Sequence, residues 1–135
     1  MFKCAGIIFI PSVTPRKTKY KNHNMKKISE SDFASEVIQK DGIQVVHFYN
    51  PYSDYSDAND NMLEELYKTH NDASFFHLNL LHAETLCERY GIAMPSVLIF
   101  EDGMLQDLLQ GLVDRNLVGS KIDSLSAKLQ SVAQP

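Results

Sequence analysis

The 135-residue chain is 44% hydrophobic and 22% charged, which suits one domain with a real core and leaves too little chain for two. No run of about 18 apolar residues occurs, so a membrane-spanning helix is excluded on length. The net charge of −4 hides a division: residues 1–27 hold seven of the 13 Lys/Arg and none of the 17 Asp/Glu, so the rest of the chain is strongly acidic and repels nucleic acid.

Residues 1–24 contain Pro11, Pro15 and the basic cluster Arg16, Lys17, Lys19 and Lys21. They read as a basic, flexible N-terminal segment ahead of a domain over 25–135, with Met25 as an alternative start. The cytoplasm is the favoured compartment, and organelle targeting by the basic segment is the alternative. The two cysteines, Cys4 and Cys87, make neither a disulfide framework nor a metal-ligand spacing.

From Ser29 the chain is regularly patterned. Ser29 followed by Asp32 resembles a capping box, and Phe33, Val37 and Ile38 give one apolar face of a first helix ending near Asp41-Gly42. Residues 45–49 form a β-branched and aromatic run typical of a strand buried on both faces. Residues 57–70 set Ala58, Met62, Leu66, Leu63 and Tyr67 on a helical stripe. A strand over 75–80 and a short helix over 83–90, closed by Gly91, come next. Two strands, 96–100 and 104–109, flank Glu101-Asp102-Gly103, a hairpin signal. Ile122, Leu125, Leu129 and Val132 mark a final amphipathic helix. Strands joined by helical crossovers and closed by a hairpin imply an α/β domain, a mixed sheet with helices on both faces.

Between about Met25 and Val132 the order and spacing of landmarks resemble a thioredoxin domain. The segment ISESDFASEVIQKDG resembles the family's first strand, helix and turn, VVHFYNPY its central strand and active-site loop, and YGIAMPSVLIFEDG the segment carrying its cis-proline. The resemblance implies the thioredoxin fold. It places the family's two active-site cysteines on Ser53 and Ser56, its cis-proline on Pro95, and its buried acid, which accepts a proton from the second cysteine, on His47. A serine hydroxyl has neither a thiolate's acidity nor a reversible oxidised state, so this degenerate CxxC cannot cycle between dithiol and disulfide. The connection before Pro95 is one residue shorter than the family's. The missing cysteines, the strand ending HFYN and the later LCERYGI look most like phosducin-like and related thioredoxin-domain proteins, which use the fold as a binding module, often as chaperone cofactors.

The candidate residues divide accordingly. Ser53 is expected to cap a helix, with Asp54 and Asp57 complementing its dipole. His47 is expected to be a core imidazole bonded to a hydroxyl or backbone group. Asp54, Asp57, Asn59 and Asp60 lack the central Gly and twelfth-position Glu of a calcium loop and read as a solvated helix face. His23, His70, His77 and His82 show no ligand spacing, so no metal and no cofactor is expected. Tyr49, Pro51, Tyr52, Asp54, Tyr55, Met94, Pro95 and Ser96 are expected to form the groove in which this fold holds an extended peptide.

The expected function is therefore a redox-inactive thioredoxin-like module that binds a protein or extended peptide. The alternative is a thiol-disulfide oxidoreductase whose cysteines stand replaced by Ser53 and Ser56, or a one-cysteine enzyme using Cys87. Glutathione binding is not expected, because the helical domain of the serine-type transferases has no counterpart in this sequence. A restored cysteine pair is expected to be a poor reductant, since His47 does not replace the acid and Asp54 opposes a thiolate.

Overall fold

A computed structural model describes residues 25–133 of the chain, with side chains through Lys128. The segment 1–24 and the apolar positions Leu129 and Val132 lie outside what is described. Five strands form one mixed sheet in the order β1-β3-β2-β4-β5. They are β1 (Lys26–Lys27), β2 (Ile43–Tyr49), β3 (Ala73–Asn79), β4 (Ser96–Glu101) and β5 (Met104–Gln110). β1, β3 and β2 run parallel, while β4 is antiparallel to β2 and β5 to β4.

Three α-helices cover the sheet: α1 (Asp54–Thr69), α2 (Glu84–Tyr90) and α3 (Arg115–Ala133). Each strand sends alternate side chains to opposite faces, so the core divides in two. On one face Val45, Phe75, Val97 and Ile99 pack against Leu63 and Leu66 of α1 and Val118 and Ile122 of α3. On the other, Val46, Phe76, Leu78 and Leu98 meet Phe33, Val37 and Leu86. Every residue of β2 is buried, as expected for a central strand covered on both sides.

The first helix is not regular α-helix. Glu30–Asp32 form a 3-10 turn and Ala34–Ile38 a π-helix, in which Gln39 N–H donates to the Ala34 carbonyl at 2.9 Å. The Ser29 N–H donates to Asp32 Oδ2 at 3.2 Å, and the Ser29 hydroxyl donates to the same oxygen at 3.0 Å. The hairpin turn uses Asp102 and Gly103, both at positive φ (51° and 83°). Asp102 Oδ1 accepts the Gly42 N–H at 2.7 Å, tying the turn to the loop before β2. A side chain at Gly103 would collide with the Ile38 backbone carbonyl, so only glycine closes this approach.

Candidate functional site

α1 begins where β2 ends, and its N-terminus sets the site. Ser53 is the N-cap: its backbone is extended and its hydroxyl oxygen accepts the Tyr55 N–H at 3.2 Å. Ser56, one turn on, is buried, and its hydroxyl oxygen accepts the Asn50 N–H at 2.8 Å. Asn50 Oδ1 in turn accepts the Tyr52 N–H at 2.9 Å. Both serine oxygens thus fix the bend from strand to helix.

Below Ser56 the buried face of α1 is polar. Asn59 and Asp60 are buried together with Leu63 and Leu66, whereas Ala58 is exposed and Tyr67 partly so. This corrects the reading of positions 54–60 as a solvated face: Asp54 is exposed, but Asn59 and Asp60 point into the core. Extending the Leu66–Leu63 stripe back by three and seven residues reaches Asp60 and Ser56, and that periodicity was the signal in the sequence.

Asp60 Oδ1 lies 2.7 Å from His47 Nδ1 and 3.2 Å from His77 Nδ1. His47 is therefore bonded to a carboxylate, not to the hydroxyl or backbone group expected of it. His77, unremarkable in sequence, stands directly opposite His47 in the β2–β3 register. All three side chains belong to residues no more than 5% exposed. An ionised carboxylate only accepts, so against one the Nδ1 of each histidine is the donor. The ring of Tyr49 packs edge-on against His77, with centroids 5.6 Å apart. Relative to the family pattern, the buried acid has moved from the strand to the helix.

Asn59 makes a second tie. Its Nδ2 donates to the Gly111 carbonyl at 2.9 Å, and its Oδ1 accepts the Val113 N–H at 3.0 Å. Gly111 N–H donates to the Pro95 carbonyl at 2.7 Å, and the Met94 sulfur lies over Gly111. Segments 94–95 and 111–113 are thereby held beside the first turns of α1. Tyr52, Tyr55, Met94 and Leu112 remain between 44% and 62% exposed around this junction. Of the residues expected to form the groove, Tyr49, Pro51, Pro95 and Ser96 are buried. Tyr49 and Pro51, with Tyr52, Leu81 and His82, also line a separate hollow of about 290 Å³.

No peptide bond among the described residues is cis, so the cis-proline expected at Met94-Pro95 is corrected to a trans bond. The shortened connection closes differently: the Ser96 hydroxyl donates back to the Met94 carbonyl at 2.8 Å.

Cys87 sits on α2, against the opposite face of the sheet from α1. Its half-buried thiol lies 3.6 Å from the Leu80 carbonyl. Burial, then the Glu30 carboxylate, pushes its pKa above the ordinary thiol value. It is neither near the serine pair nor activated.

Strand order, the β2–α1 junction and the Pro95 segment define a thioredoxin-fold domain. The Thioredoxin family model matches residues 24–124, and the chain belongs to that family. No curated protein matches it in sequence. Among solved structures, it is similar to a chain from work on the thiol resolving mechanism in yeast mitochondrial 1-Cys peroxiredoxin via glutathione/thioredoxin systems. The superposition has a TM-score of 0.68 at 17% identity and covers 76% of this chain and 96% of the other. At that identity the likeness is one of fold. No helix of the described residues is long and apolar enough to cross a membrane.

Proposed function

We propose that this thioredoxin-family domain works by recognition: it holds an extended segment of another protein on the face formed by Tyr52, Tyr55, Met94 and Leu112, in the manner of a phosducin-like chaperone cofactor. One observation carries the reading. Both oxygens at the serine pair accept backbone N–H groups, while the side chains around them are large, apolar and exposed. Tyrosine and methionine give contact area and an adaptable surface, which are the properties of protein-binding patches. The buried backing of Pro95, Ser96 and Asn59 keeps that face preorganised.

Selection of extended peptides from a displayed library tests this. Tyr55→Ser and Met94→Ser should each weaken the selected peptides by about 1–2 kcal/mol, with thermal stability unchanged. Peptides that bind both variants as well as the parent would place recognition elsewhere.

A second reading, an oxidoreductase whose cysteines stand replaced, is favoured by one feature. The Asp60 carboxylate lies one turn below Ser56 on the same buried face, where a proton acceptor for a second cysteine would stand.

A further inference from the structure

The layer between α1 and the sheet is apolar around Leu63 and Leu66 and polar toward the start of α1, where Ser56 and Asn59 are buried and Asp60, His47 and His77 meet. A carboxylate and two imidazoles are a costly way to fill a core, since apolar side chains of similar volume pack there without desolvating a charge. The trio is buried, whereas the side chains of the proposed peptide face are exposed. His47 Nε2 is buried and has no hydrogen-bond partner among the described residues.

We propose that His47 Nδ1, His77 Nδ1 and Asp60 Oδ1 form a binding site for one divalent transition-metal ion of the zinc class. Three kinds of observation support it. The donor set is two imidazoles and one carboxylate, the combination found where zinc keeps three protein ligands and an open fourth position. One ligand atom from each of the three residues lies within 4.8 Å of the other two, and the residues belong to three different elements, so their donors converge. Their spacing is also close to what an ion requires. Tetrahedral bonds of 2.0–2.1 Å set ligand atoms about 3.3 Å apart, and the carboxylate oxygen stands 2.7 and 3.2 Å from its two nitrogens. Shifts of a few tenths of an ångström bring both oxygen–nitrogen pairs to that spacing.

The proton balance is simple. To ligate through Nδ1 each ring gives up the proton that Nδ1 donates to Asp60, to its own Nε2 or to solvent, and the Nδ1 lone pair turns to the ion. Asp60 stays ionised and offsets one of the two positive charges. Entry runs past Tyr49, which lines the 290 Å³ hollow on one side and covers the His77 ring on the other. The ligands reside on β2, β3 and α1, so the ion would join the helix that carries the serine pair to the two central strands.

The test uses the full chain stripped with chelator and titrated with Co²⁺, then Zn²⁺. One Co²⁺ per chain should bind with the visible absorption of a four- or five-coordinate site, Zn²⁺ should displace it, and Zn²⁺ should raise the unfolding temperature. His77→Gln should weaken Co²⁺ binding by more than the roughly 100-fold that loss of a supporting outer-shell group costs. The double variant Cys4→Ser with His23→Gln should bind like the parent. If His77→Gln fails to fold, histidine ring resonances of the parent decide: Co²⁺ should broaden His47 and His77 and spare His70. Unaltered binding by folded His77→Gln, loss of binding in the Cys4/His23 variant, or undisturbed His47 and His77 resonances would overturn the proposal.

Discussion

Single side chains define this site more than composition does. His47 looked like a departure from the family because the acid was absent from its position, yet the acid is present thirteen residues later, on α1. The partnership was not legible in the sequence because it is tertiary: the β2–β3 register sets His77 opposite His47, and only the docking of α1 brings Asp60 to both. Cys87 shows the reverse, a residue whose surroundings could be read locally. It sits beside Leu86 on the short helix α2, and its thiol is half-buried. Because its pKa is raised, the folded state favours the neutral thiol. The linked stability is present below the ordinary thiol pKa and is lost as pH rises above it. In a Cys4→Ser background, iodoacetamide should therefore modify Cys87 more slowly in the native protein than in urea at neutral pH, and the native rate should rise only at more alkaline pH. Native reactivity equal to that of the unfolded chain would restore the one-cysteine enzyme as a live reading.

Among the elements, those set by unbroken patterns were read closely. The central strands appeared as apolar β-branched runs, Gly91 closes α2 in the left-handed conformation, and Asp102-Gly103 turns the hairpin. Two features escaped. The first helix is a 3-10 turn followed by a π-helix, a distinction that apolar spacing does not carry, since Phe33 and Val37 reach the core in either form. In α1 the apolar spacing points to Ala58 and Tyr67, whereas the buried face runs through Ser56, Asn59 and Asp60, polar residues that do not announce themselves as buried. The cap of α1 gives a direct test of the element. Ser53→Ala should lower stability by about 0.5–2 kcal/mol, and Ser53→Asp should restore most of it, because aspartate also accepts the N–H at the helix start. Urea unfolding with unchanged m reads the effect, and equal midpoints for the parent and Ser53→Ala would show that the hydroxyl contributes nothing to the cap.

The two faces of the molecule are unequal, and the inequality bears on whether the scaffold still supports thiol chemistry. The α2 face is an apolar packing layer, whereas the α1 face carries the serine pair, the exposed aromatic and methionine side chains and the buried His–Asp–His trio. Restoring cysteine at positions 53 and 56 tests the α1 face as a unit. The two positions lie one turn apart, with Ser56 N–H donating to the Ser53 carbonyl at 3.1 Å, so a disulfide across the helix start is expected. The sequence alone argued for a poor reductant on two grounds, and the structure removes one of them, because Asp60 supplies a carboxylate beneath position 56. Asp54 remains. Its exposed negative charge, next to a cysteine introduced by Ser53→Cys, opposes the thiolate that the helix N-terminus favours. Adding Asp54→Asn to the double Ser→Cys protein should therefore lower the pKa of the thiol at position 53 and speed insulin reduction, while Asp60→Asn should slow it by withdrawing the proton acceptor. The parent chain should match the uncatalysed rate. Equal rates for the double Ser→Cys protein with and without Asp54→Asn would mean that Asp54 is screened by solvent, leaving the two serines alone responsible for silencing the site.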